Sequence, residues 1–243
     1  MTSTAFAIPA GAIPYWVARL TDHQVAHSGP LERFGEQVLS FADPDGLGIE
    51  LIATRTANPE RAYTAGSIPL EFAIHGFHSA SLTEGGYQRT AALLTDTMGF
   101  RLVGEEGNRF RYAIGDGGAG MIADVRCAPE ERPGRVAVGT VHHIAWRTAD
   151  DGQQSAWQKE LARLGYDVTP IIDRKYFHSI YYREPGNILF EIATDPPGFA
   201  VDESVEELGS KLQLPPWLEG SRDELVAVLP PIRLPAAHGA VQS

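Results

Sequence analysis

His143 and Glu191 are the residues whose types and settings point most directly to chemistry. Val141-His142-His143-Ile144-Ala145-Trp146 reads as a strand, and alternate side chains of a strand face opposite sides, so His143 shares its face with Ala145. Glu191 lies between apolar neighbours in Leu189-Phe190-Glu191-Ile192-Ala193, where a carboxylate is costly unless paired or metal-bound. Such a group wants a cation. Two histidines and one carboxylate on one face of an octahedral ion leave positions open for a substrate and O₂, as in non-haem Fe(II) oxygenases. The chain shows one of the histidines and the carboxylate.

Other chemistry-bearing residues read more plainly. Glu50 has the same spacing from Pro44 as Glu191 has from Pro185, but no histidine heads its segment, so it is expected to be a solvated strand end. Aligning Phe77-His78-Ser79-Ala80 with Val141-His142-His143-Ile144 puts Ser79 at the ligand position and turns His78 out of the pleat; His75 lies further up. The glycine-rich run 115–120 fits the letter pattern of a dinucleotide loop, but a strand follows it, so it is expected to be a hairpin turn.

The elements that must position these residues repeat along the chain. Residues 72–127 read as a strand from Phe72 to Leu82, a helix with Tyr87, Ala91, Leu94 and Met98 on one face, and extended segments 100–105, 109–114 and 121–127. Residues 139–194 read the same way: a strand from Val141 to Arg147, a helix with Trp157, Leu161 and Leu164 on one face, then extended stretches near Val168, at 176–182 and at 188–193. Both helices end at a matching glycine, Gly99 or Gly165, which supplies a left-handed closing residue. A further copy spans 1–54, with a strand at 3–8, a short helix at Trp16 to Leu20 and two strands within Val38 to Thr54. The fold class is therefore α+β, built of tandem βαβββ modules at 1–54, 72–127 and 139–194 that form curved mixed sheets. Arg55 to Leu70 and Ala128 to Val138 serve as linkers, and 195–243 forms a tail with a short helix at Ser221 to Leu229. One module leaves an apolar concave face and a free edge to cover, so three modules imply a second copy of the chain or a further module before Met1.

Composition limits the partners. A formal charge of −11 opposes nucleic-acid binding, which needs a basic surface. A single cysteine, Cys127, excludes an internal disulfide and fits a reducing compartment, the cytoplasm. The chain lacks a secretory leader pattern and an apolar run long enough to span a membrane.

The run Asp173-Arg174-Lys175-Tyr176-Phe177-His178-Ser179-Ile180-Tyr181-Tyr182-Arg183-Glu184-Pro185-Gly186, with Val141 to Ile144, Phe190 to Phe199, Phe34-Gly35, Gly104 to Arg109 and Leu214-Pro215-Pro216-Trp217, resembles the ring-cleaving dioxygenases related to dichlorohydroquinone dioxygenase. These belong to the vicinal oxygen chelate superfamily of glyoxalase, bleomycin resistance and extradiol dioxygenase proteins. The resemblance implies an enzyme that cleaves hydroquinone or catechol-like aromatic diols with O₂ and Fe(II). It further implies that His143 and Glu191 hold the metal, with His142, Arg174 and Tyr181 near the substrate. In that family a further histidine comes from a first module that has no counterpart here, so the chain reads as N-terminally truncated. Two rivals share the fold: a metal-free protein that sequesters small aromatic molecules, and a glyoxalase-type lyase using Zn²⁺ or Ni²⁺.

Overall fold

A computed structural model describes residues 3–64, 66–132 and 134–231. They separate into two compact units: Met1–Ile144 with Arg183–Phe190, and Ala145–Tyr182 with Glu191–Ser243.

In the first unit the chain runs β1 (Ser3–Pro9), α1 (Ile13–Asp22), β2 (His27–Arg33), β3 (Glu36–Ala42) and β4 (Gly48–Thr54). It continues with β5 (Phe77–Glu84), α2 (Gln88–Ala92), β6 (Arg101–Glu106), β7 (Arg109–Ala113) and β8 (Ile122–Cys127). All eight strands share one sheet in the order β2-β3-β4-β1-β5-β8-β7-β6. Within each half the first strand pairs in parallel with the fourth, and β1 meets β5 antiparallel at the centre. The two modules thus cover each other's free first edge.

Alternation explains the two faces. Ile13, Trp16 and Leu20, spaced three and four apart on α1, pack on Ile8, Leu39, Leu51 and Ala53. Trp16 Nε1 donates to the Phe72 carbonyl at 2.9 Å, which ties the helix to the following linker. Ala5, Val38 and Ile52 make a separate cluster on the opposite, concave face. The helix expected after β5 is shorter than its periodicity implies. Past α2 the chain widens into a π turn over Leu93–Thr97, and Leu93, Leu94 and Met98 are all buried there.

The later elements are β9 (Ile144–Thr148), α3 (Asp151–Arg163), β10 (Ile172–Asp173), β11 (Phe177–Arg183), β12 (Leu189–Pro197) and α4 (Arg222–Val228). Their sheet runs β10-β11-β12-β9, so the order second, third, fourth, first strand occurs three times along the chain. The β11–β12 turn belongs to the first unit.

Several elements differ from the sequence reading. β2 was not expected: its central residues are exposed and Pro30 interrupts it, as suits an edge strand. β5 begins at Phe77, after a short 3₁₀ turn at Leu70–Phe72, rather than at Phe72. Leu164 is 42% exposed because it caps the helix, and the buried face of α3 is made by Gln154 and Leu161. No strand forms at Val168. β9 starts at Ile144 rather than Val141, and the reason lies just upstream. Gly139 has φ of +77°, and a Cβ there would sit 1.9 Å from the Asp45 carbonyl oxygen, so the chain crosses the β3–β4 turn in a conformation only glycine accepts. Thr140 then turns back on Ala137, holding 141–143 out of the ladder.

The start of α3 is fixed by Asp150, whose carboxylate accepts the Gln153 N–H at 2.8 Å. Asp150→Ala is expected to cost about 1 kcal/mol of stability, measured by urea denaturation; a loss below ~0.3 kcal/mol would show that water caps the helix equally well.

Candidate functional site

β11 and β12 build the polar centre of the second unit. Ser179 and Tyr181, two residues apart on β11, share a face. Glu191, on β12, is 3% exposed, and the Tyr181 hydroxyl donates to its Oε1 at 2.8 Å. Arg174 Nη2 lies 3.4 Å from the same hydroxyl, Arg174 Nε lies 3.4 Å from Ser179 Oγ, and the guanidinium carbon stands 5.5 Å from the centre of the Tyr181 ring. The three predicted residues Arg174, Tyr181 and Glu191 therefore form one row. The phenol hydrogen points to the carboxylate while the cation faces the phenol oxygen, an order that polarises the hydroxyl towards Glu191.

Two residues that the sequence reading passed over hold this row in place. Thr169 brackets Tyr181, accepting its N–H at Oγ1 and donating its own N–H to the Tyr181 carbonyl, each at 3.0 Å. Gln154, fully buried on α3, donates from Nε2 to the carbonyls of His178 and Ile192, both at 2.8 Å. It clamps β11 to β12 one residue from Ser179 and one from Glu191. A polar residue on the apolar side of an amphipathic helix was the available signal. His178 Nδ1 also meets Asp151 Oδ1 at 2.6 Å at the start of α3.

His142 and His143 belong to the first unit, whereas the Arg174, Tyr181 and Glu191 row belongs to the second. His142 is exposed and His143 half-buried, and their Nδ1 atoms lie 3.0 Å apart. That contact requires one ring to donate and the other to accept, so the two tautomers are linked. Among the described residues, no three or more His, Cys, Asp or Glu side chains gather closely enough to hold an ion.

The concave face of the eight-stranded sheet corrects two expectations. Glu50 is not solvated: it is 6% exposed, and Arg33 donates to both its oxygens at 2.9 and 3.0 Å. His78 does not turn away from that face. Ala5 pairs with Ser79 and Phe6 with Phe77, so His78 is the extra residue of a β-bulge, and the bulge breaks the alternation. Its Nε2 meets Glu36 at 3.3 Å and its Nδ1 meets Ser79 Oγ at 3.1 Å, so both ring nitrogens are engaged. Burial alone would raise the Glu36 carboxyl, but hydrogen bonding and charge from His78, with help from Thr54 and Arg111, bring it down to about 2. This face is an ion-pair network. The run 115–120 is the β7–β8 turn, as expected, and no helix among the described residues is long and apolar enough to cross a membrane.

Comparison with known proteins agrees with this architecture. Residues 76–201 match the family described as the Glyoxalase/Bleomycin resistance protein/Dioxygenase superfamily. MhqO of Bacillus subtilis (strain 168), named as an inferred ring-cleaving dioxygenase, is 44% identical over 231 residues, covering 95% of this chain and 73% of that protein. The chlorohydroquinone/hydroquinone 1,2-dioxygenase of Sphingobium indicum is 38% identical over 235 residues, covering 94% and 72%. A crystal structure of an inferred dioxygenase from Bacillus subtilis superposes with a TM-score of 0.88 at 43% identity, over 96% of this chain and 74% of that one. The repeated strand order, the matched residues and these relatives together make the chain a member of the Glyoxalase/Bleomycin resistance protein/Dioxygenase superfamily, resembling its ring-cleaving enzymes.

Proposed function

We propose that the chain is part of an Fe(II)-dependent ring-cleaving dioxygenase acting on hydroquinone or catechol-like aromatic diols, with His143 and Glu191 as metal ligands. The observation that carries this reading is the buried Glu191 carboxylate with Tyr181 and Arg174 in line behind it. A buried carboxylate and an imidazole together make the donor set that suits a non-haem iron. A bound Fe(II) would supply the Lewis acidity and the electron transfer that O₂ chemistry needs. A third ligand would be a histidine from a partnering βαβββ module, in a second copy or in a further module before Met1.

The chain's own residues then have definable tasks. Tyr181 holds one Glu191 oxygen by its O–H, and Arg174 steadies negative charge that develops on a bound diol. His142 accepts the Nδ1–H of His143, which fixes the His143 tautomer with its lone pair on Nε2, and it moves protons at the diol hydroxyl.

The test is anaerobic loading with Fe(II), followed by O₂ uptake and ring-product absorbance on hydroquinone and catechol. Consumption of one O₂ per ring opened is expected once a module bearing the third histidine is present. Ring binding with no metal dependence would instead identify a sequestering protein.

A further inference from the structure

Glu84 ends β5, Thr90 lies on α2, and Glu184 opens the β11–β12 turn; all three belong to the first unit. Their exposures are 4%, 0% and 2%. Thr90 Oγ1 stands 2.7 Å from Glu84 Oε2 and 2.6 Å from Glu184 Oε2. A hydroxyl has one hydrogen, so it can donate to one of these oxygens only, and the other short contact needs a hydrogen on a carboxyl. Glu184 is already placed as the acceptor. Its Oε2 takes the Gly186 N–H and its Oε1 the Ile188 N–H, each at 2.8 Å. Glu84 Oε1, by contrast, is buried with no hydrogen-bond partner among the described residues. The consistent order of donation is Glu84 O–H to Thr90, then Thr90 O–H to the Glu184 carboxylate. The turn rests directly on this group, because a Cβ at Gly186 would lie 2.4 Å from Glu84 Cδ.

We propose that this single shared proton is a clamp: while present it holds the Glu184-Pro185-Gly186-Asn187 turn on the end of β5, and its loss opposes two buried carboxylates and loosens the turn. The inference does not depend on the dioxygenase reading. The groups acting on Glu84 agree with it. Burial, then the charge of Glu184, push the Glu84 carboxyl up to about 7, against a hydrogen bond from Thr90. From β7, buried Tyr112 also faces Glu84, and its phenol is raised by burial and by the charges of Tyr87, Glu84 and Glu105. In the clamped state Glu84 keeps its proton up to about 7, whereas a released carboxyl titrates near its usual 4.5. The clamped state therefore binds more protons between these values, so its stability falls about tenfold per pH unit across that window and levels off above it.

Amide hydrogen exchange at Gly186 and Ile188, corrected for intrinsic rates, reads this directly. In the native chain protection should drop by about fortyfold from pH 5 to pH 7, and Glu84→Gln, which keeps a donor but cannot titrate, should hold it constant. Unchanging protection in the native chain, or an equal drop in Glu84→Gln, overturns the clamp. Should that variant fail to fold, the ¹³C titration of the Glu84 carboxyl in the native chain decides: a midpoint near 7 supports the shared proton, and one below about 5 overturns it.

Discussion

Glu191→Ala is expected to abolish metal-dependent ring opening, lowering turnover by at least about a thousandfold, and His143→Ala should do the same, because on the proposed reading each would remove a ligand and not a tuning group. Tyr181→Phe separates the two kinds of loss. It deletes the hydroxyl that donates to Glu191 at 2.8 Å and leaves the carboxylate in place, so bound iron should persist while turnover falls roughly 10–100-fold. Iron per chain by elemental analysis, alongside O₂ uptake, gives two independent readouts. Full iron and undiminished turnover in Glu191→Ala would sink the ligand assignment. Full iron with lost turnover would move Glu191 from ligand to substrate contact.

Much of the architecture was legible because it depends on local rules applied repeatedly. Gly99 and Gly165 end their helices with φ of +78° and +89°, as their matching tripeptides imply. The β4, β7, β8 and β12 segments are apolar enough to be recognised as strands. What was not legible depends on partners distant in sequence or on departures from period. β2 has mostly exposed residues and a proline, so no alternation marks it, and with β2 unseen Arg33 could not be offered as the partner of Glu50. His78 was misplaced for a different reason. Its parity was counted correctly, but one bulge opposite Ala5 and Phe6 undid the count, and nothing in Phe77-His78-Ser79 announces a bulge. At the candidate site, Glu191 stood out because a carboxylate amid apolar neighbours is costly. The Tyr181 and Arg174 contacts came from family likeness and only afterwards from geometry. Gln154 and Thr169 act through backbone groups, which no side-chain motif records.

Arg111→Ala should be the most damaging substitution for folding, costing about 3–5 kcal/mol, because Arg111 joins both modules of the eight-stranded sheet. Its Nε and Nη2 bind both oxygens of fully buried Asp124 at 2.8 and 2.9 Å, and its Nη1 reaches Glu36 on β3 at 2.7 Å. Phe34 covers the guanidinium at 4.3 Å from the ring centre. Alanine would leave the Asp124 carboxylate buried without its cation and remove the link to Glu36. Against a typical total stability of roughly 5–15 kcal/mol, that loss lowers the melting temperature by about 10 °C. The double variant Arg111→Met with Asp124→Leu supplies the control. Replacing the pair by apolar groups of similar volume should recover most of the loss, because a buried pair gives little net stability and its breakage is what costs. A single variant less than about 1 kcal/mol below the native chain would mean that water reaches Asp124. The network would then be an open polar cup, and its carboxylates would again be available to a ligand.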